Sequence, residues 1–233
     1  MDIGARLYSI QERMAAACAR ASRDPADIRL IAVSKRQPVE AIEAAIRAGQ
    51  RDFGESTVQE ALEKIDALVD PAVEWHFVGH LQSKKARFLP GRFQWLHSLD
   101  SLKLATRLAD AVGRHGGQAL NTLIQVNVAR DPAKHGVTEE DLPRLLESLF
   151  EAQPAGIRLR GLMTIGRRDA GKAETRGVFA RLRELRDRCA REFALTEFTE
   201  LSMGMSGDFE AAILEGATMI RIGTGVFGVR GEE

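Results

Sequence analysis

The chain has 233 residues, 44% of them hydrophobic and 28% charged, an ordinary globular composition able to bury a sizeable core. Lys+Arg and Asp+Glu each number 33, so the formal net charge is zero, which removes the electrostatic case for a nucleic-acid or anionic-membrane partner. No apolar run nears the roughly 20 residues of a bilayer span, the start Met1-Asp2-Ile3-Gly4-Ala5-Arg6 lacks the pattern of a secretory signal, and Cys18 and Cys189 read as reduced packing thiols; a cytoplasmic protein is expected.

Ile3, Leu7, Ile10, Met14 and Cys18 recur at steps of three and four, one face of a helix within residues 1–22. Ser22-Arg23-Asp24-Pro25 breaks it, and short strand-like runs then alternate with helical stretches. The first run is 30–34, with a helix after Pro38 that ends near Gly49. The second is 52–55, with a helix to Leu68; the third is 75–79, with a short helix Ser83–Phe88. The fourth is 94–98, with a helix over 101–115 and Asp100 or Ser101 as N-cap. The fifth, 122–127, precedes a helix over 138–150, and the sixth, 160–165, a long helix to Phe193. The seventh, 199–203, leads to a helix over 208–214, and 218–223 is the eighth.

Repeated strand–helix units with no linker predict one α/β domain, residues 1–233, with a parallel sheet. Eight units fit a closed (β/α)8 TIM-type barrel with an extra N-terminal helix packed on it. Periodicity alone also fits an open doubly wound sheet.

In either fold, functional groups collect where strands end. The first strand ends at Lys35; an amine partly withdrawn from water there attacks carbonyls, as a pyridoxal-phosphate lysine must, although a solvated lysine past a strand end looks the same. Gly223-Thr224-Gly225-Val226-Phe227-Gly228 matches G-x-G-x-x-G, but only residues 229–233 follow it, so the dinucleotide reading fails. A phosphate held by the loops after strands seven and eight survives: Gly204 to Ser206 and Gly223 to Gly225 offer backbone N–H groups and the hydroxyls of Ser206 and Thr224. His76 and His80 fall on one side of the third strand, without the further ligands a metal needs, so no metal is expected. Arg167-Arg168 reads as a solvated loop.

Ala32-Val33-Ser34-Lys35, Phe53-Gly54-Glu55 with Val58-Gln59-Glu60, Trp75-His76-Phe77-Val78-Gly79-His80-Leu81-Gln82, Gly161-Leu162-Met163-Thr164, Leu201-Ser202-Met203-Gly204-Met205-Ser206-Gly207-Asp208 and Arg221-Ile222-Gly223-Thr224 occur in that order. Together they closely resemble the pyridoxal phosphate homeostasis protein family (YggS/PROSC type) over almost the whole chain. The resemblance implies a barrel like the N-terminal domain of alanine racemase and pyridoxal 5′-phosphate (PLP) as cofactor. It implies Lys35 as the Schiff-base lysine, Ser206, Gly223 and Thr224 at the phosphate, Arg221 beside the pyridine nitrogen, and Ser56, His80 and Met163 as further cofactor neighbours. Where the family has Asn-Tyr after Phe-Gly-Glu this chain has Ser56-Thr57, and Lys84 replaces an asparagine common after Leu-Gln-Ser. A binding, storage or delivery role follows, influencing amino-acid and keto-acid balance, in a monomer with PLP-requiring apo-enzymes as partners. The alternative, a two-base amino-acid racemase, lacks its second base: the sole tyrosine is Tyr8, in the first helix.

Overall fold

The computed structural model describes residues 2–68, 70–116, 118–167 and 170–228; Arg168 and the tail 229–233 lie outside them. Eight parallel strands, β1 (Arg29–Val33), β2 (Asp52–Glu55), β3 (Glu74–Phe77), β4 (Trp95–Leu99), β5 (Leu120–Gln125), β6 (Ile157–Met163), β7 (Glu200–Ser202) and β8 (Met219–Ile222), form a closed barrel in sequence order. The β1–β8 ladder, Arg29↔Met219 through Ala32↔Ile222, closes the sheet and rules out the open alternative.

Parallel strands covered on both faces must be apolar almost throughout. Outward-facing Leu30, Ala32, Phe53, Trp75, Phe77, Leu96, Ile124, Leu162, Ile220 and Ile222 join the core shared with the helices. The inner apolar cluster is far smaller: Ile31, Trp95, Leu123, Met163 and Met219. The remaining interior includes buried polar side chains: His76, His97, Ser202 and Arg221.

The surrounding helices are α2 (Val39–Arg47), α3 (Val58–Ala67), α4 (Leu102–His115), α5 (Leu142–Ala152), α6 (Lys172–Glu192), α7 (Phe209–Leu214) and the single turn α8 (Thr224–Phe227). The N-terminal helix, α1 (Ile3–Ala21), buries Leu7, Ile10, Met14, Ala17 and Cys18 and packs on α2, α7 and α8, with Arg13 paired to Glu210 at 2.5 Å. Ser101 is the N-cap of α4: its Oγ accepts the Leu104 N–H at 3.3 Å. Gly116, at φ 62°, ends that helix in a left-handed turn.

Two boundaries near the site differ from expectation. The helix after β5 starts at Leu142 rather than 138, because residues 138–141 form a side-chain-stapled turn in which Thr138 Oγ1 accepts the Asp141 N–H at 3.1 Å and donates to Asp141 Oδ2 at 2.8 Å. The third strand ends at Phe77 rather than 79. His76 and His80 are therefore not a same-side pair: His76 is buried in the barrel, and His80 is exposed on the loop beyond.

Candidate functional site

The C-terminal ends of the strands form one rim, and the sequence-selected residues divide over three parts of it. Lys35 stands in the turn after β1, where the Gln37 N–H donates to Ser34 O at 2.9 Å. Its side chain is exposed, not partly withdrawn from water as expected, because the strand stops two residues earlier. Arg36 beside it has φ 61°, a left-handed conformation that needs outside support.

That support comes from a buried ionic cluster beneath the turn. Lys64, on α3, donates to Ser34 O at 2.7 Å, Glu55 Oε1 at 2.8 Å and Glu60 Oε1 at 2.6 Å. Ser34 Oγ donates to the same Glu55 oxygen at 2.7 Å, and the Arg36 N–H donates to Glu60. The residues on either side of Lys35 are thus both tied to Lys64 and its carboxylates. Burial pushes the Glu55 carboxyl up against the pull of Lys64 and Ser34, and its Oε2 is buried without a partner. Burial also opposes ionisation of Glu60, but hydrogen bonds from Lys64 and Arg36 hold that carboxyl below its usual range.

Next along the rim, half-buried Ser56 follows β2. Its backbone lies so close to Gly79 that a Cβ there would sit 2.4 Å from Ser56 O, so only glycine lets these two loops meet. Exposed His80 stacks on His135 with ring centroids 3.6 Å apart, and its Nδ1 lies 3.6 Å from Asp100 Oδ2.

The third part joins β6, β7 and β8. Met163 is fully buried in the inner apolar cluster, below the rim. Ser206 and the residues after β8 meet directly: Thr224 Oγ1 and the Gly225 N–H each donate to Ser206 Oγ at 3.3 Å. Gly204, at φ 93°, packs on Phe209 and Ala212 of α7, and a Cβ at Gly223 would make ordinary van der Waals contact with Val33, whose O would be 3.5 Å away. Arg221 is 5% exposed. Its Nη1 donates to Ser202 Oγ at 2.5 Å and Nη2 to Thr164 O at 2.9 Å. Among the described residues it has no ion-pair partner. Burial lowers it to about 10, with Asp208 opposing through space, so it stays charged at neutral pH.

Sequence reasoning missed a row of polar groups inside the barrel. His97 Nδ1 meets Ser202 Oγ at 2.8 Å, His97 Nε2 meets His76 Nδ1 at 3.0 Å, and His76 Nε2 meets Asp52 Oδ1 at 3.0 Å. Burial lowers both imidazoles, His97 well below its usual value. The available signal was strand alternation: His76 lies between outward Trp75 and Phe77. At the far end, Asp52, Glu74 and His76 converge as metal-type ligands. Arg29 already fills that place, with Nη1 3.1 Å from Asp52 and 2.5 Å from Glu74.

A closed barrel with a rim lysine, a buried rim arginine and a glycine–hydroxyl cluster after β7 and β8 defines a class, and the family model described as alanine racemase, N-terminal domain, matches residues 6–231. Within that class the chain belongs to the pyridoxal phosphate homeostasis protein family: it is 46% identical over 229 residues to the Pyridoxal phosphate homeostasis protein of Pseudomonas aeruginosa, covering 98% of this chain and 96% of that one. The solved structure of PipY of Synechococcus elongatus with PLP bound superposes with a TM-score of 0.84 at 40% identity, covering 97% of this chain and all (100%) of that one. Alanine racemase from Corynebacterium glutamicum shares the fold, with a TM-score of 0.69 at 19% identity over 97% of this chain and 63% of that one.

Proposed function

We propose that this chain binds PLP at the barrel rim through Lys35 and serves intracellular PLP homeostasis by binding, storing or delivering the cofactor, with an influence on amino-acid and keto-acid balance. The observation that carries the reading is Arg221: a buried guanidinium with two neutral hydrogen-bond acceptors and no ion-pair partner among the described residues, on the strand paired with the one that leads to Lys35. A buried charge left unneutralised by the fold marks a ligand site. The donor set fits PLP. The Lys35 amine would bond to its aldehyde carbon. Ser206, Gly223 and Thr224 would hold its phosphate, with glycine backbone free to approach closely. Arg221 would face the ring nitrogen, with Met163 beneath and Ser56 and His80 at the edge.

Bound PLP supplies an aldehyde for an amine and a ring that draws electrons from it. Arginine keeps its proton, so Arg221 would leave the ring nitrogen unprotonated and weaken that electron pull. This favours carriage of the cofactor over carbanion catalysis. In this proposal residues 1–233 form one domain, and the protein is a cytoplasmic monomer whose recipients are PLP-requiring apo-enzymes; among the described residues no helix is long and apolar enough to cross a membrane. Titration with PLP tests it. The wild type should gain a near-visible absorbance band that Lys35→Ala does not, and a wild type that gains none would refute the proposal.

A further inference from the structure

Five side chains cross the barrel interior in one hydrogen-bonded row, and the chemistry of its ends sets the direction of every bond. Arginine has only donors and a carboxylate only acceptors. Arg221 Nη1 gives a proton to Ser202 Oγ at 2.5 Å. At the other end Asp52 Oδ1 can only accept, so His76 carries its proton on Nε2, 3.0 Å away. Buried and neutral, His76 then accepts on Nδ1 from His97 Nε2–H at 3.0 Å, and His97 Nδ1 accepts the Ser202 proton at 2.8 Å. All four bonds run from the cation to the anion, with both imidazoles neutral and of the same tautomer. Asp52 is itself tied to Arg29 at 3.1 Å, beyond the far end of the row.

We propose that Ser202, His97, His76 and Asp52 are a positioning relay that holds Arg221 in one orientation and thereby sets the hydrogen bonding of the cofactor's ring nitrogen. The Ser202 and Thr164 bonds use two of the five guanidinium N–H groups and leave the others to the ligand. Mere packing would not need a row of uniform polarity; a half-satisfied polar network inside a barrel is worse than apolar filling. His76 and His97 are both fully buried, and burial keeps them neutral. The groups facing them are Asp52, Arg29, Glu74 and Arg221. The inference rests on the reading of Arg221 as the group beside the PLP ring, and its test separates the two.

The first arm uses the protein without added PLP. Histidine 15N NMR should show His76 and His97 as neutral Nε2–H tautomers that do not titrate between about pH 5 and 8. A protonated ring or an Nδ1–H tautomer at either position would overturn the relay, whatever the cofactor does. The second arm loads the wild type and Ser202→Ala with ring-15N PLP. Removing the one hydroxyl that joins Arg221 to His97 should shift the bound ring nitrogen and the His97 Nδ1 resonance together. Bound PLP with an unmoved ring nitrogen would overturn the relay alone. No PLP uptake by the wild type would overturn the reading of the site, and the claim on the ring nitrogen with it.

Discussion

Replacing Lys64 by methionine tests how the fold holds Lys35. Lys64 is 5% exposed, and its three bonds, to Ser34 O, Glu55 and Glu60, lie between 2.6 and 2.8 Å. Methionine keeps most of the stem's bulk and removes all three. Glu55, fully buried, would keep only the Ser34 hydroxyl, with Oε2 already unpartnered. Removing one partner of a buried pair costs about 3–5 kcal/mol. Glu55 has an escape, because burial already pushes its carboxyl up and without Lys64 it takes a proton. The loss therefore falls near the low end, about 3 kcal/mol, or about 6 °C in Tm for a chain this long. The folded variant holds a proton that the unfolded chain releases. Its stability thus falls as pH rises from the ordinary glutamate value through the raised folded one, by up to about 1.4 kcal/mol per pH unit. Calorimetry should find the deficit shrinking toward about pH 5 and largely recovered in Lys64→Met/Glu55→Gln. PLP uptake should weaken alongside, as the Lys35 turn loosens. A deficit below about 1 kcal/mol, or one that grows on acidification, would refute the reasoning.

Gly79→Ala should cost about 2 kcal/mol in urea denaturation, because its Cβ would meet Ser56 O at 2.4 Å; an unchanged midpoint would contradict the contact. Ser206→Ala should weaken PLP binding about tenfold or more by equilibrium titration, the worth of one hydrogen bond to a charged group, while leaving the protein folded. Arg221→Glu should change the absorbance of bound PLP, because a carboxylate favours a protonated ring nitrogen; identical spectra would count against Arg221 facing the ring. Cys18 and Cys189 are fully buried, and burial pushes both thiols up. Both should ignore a thiol reagent in the native state and react on unfolding.

The eight strands were legible because each is an apolar run covered on both faces, and strand order followed from strand–helix alternation. Closure was not, since it depends on β1 meeting β8 across almost the whole chain. The glycine–hydroxyl loops were readable as a possible phosphate site, and the structure joins Ser206 to Thr224 and Gly225. Lys35 was readable as a position but not in its surroundings: the exposed side chain and the Lys64 cluster beneath depend on α3 packing against β2 and reaching the turn after β1. The interior row escaped notice because its members come singly from β2, β3, β4, β7 and β8, each looking like one polar residue in an apolar run. His80 was misplaced with His76 because the sequence pattern carried the third strand two residues too far.

The central claim, PLP held covalently by Lys35, is tested most directly by borohydride reduction of the PLP-treated protein followed by peptide mass mapping. A single modified peptide containing Lys35 is expected, and none in Lys35→Ala. Modification of Lys64, Lys134 or another lysine in place of Lys35, or no modified peptide from the wild type, would contradict it.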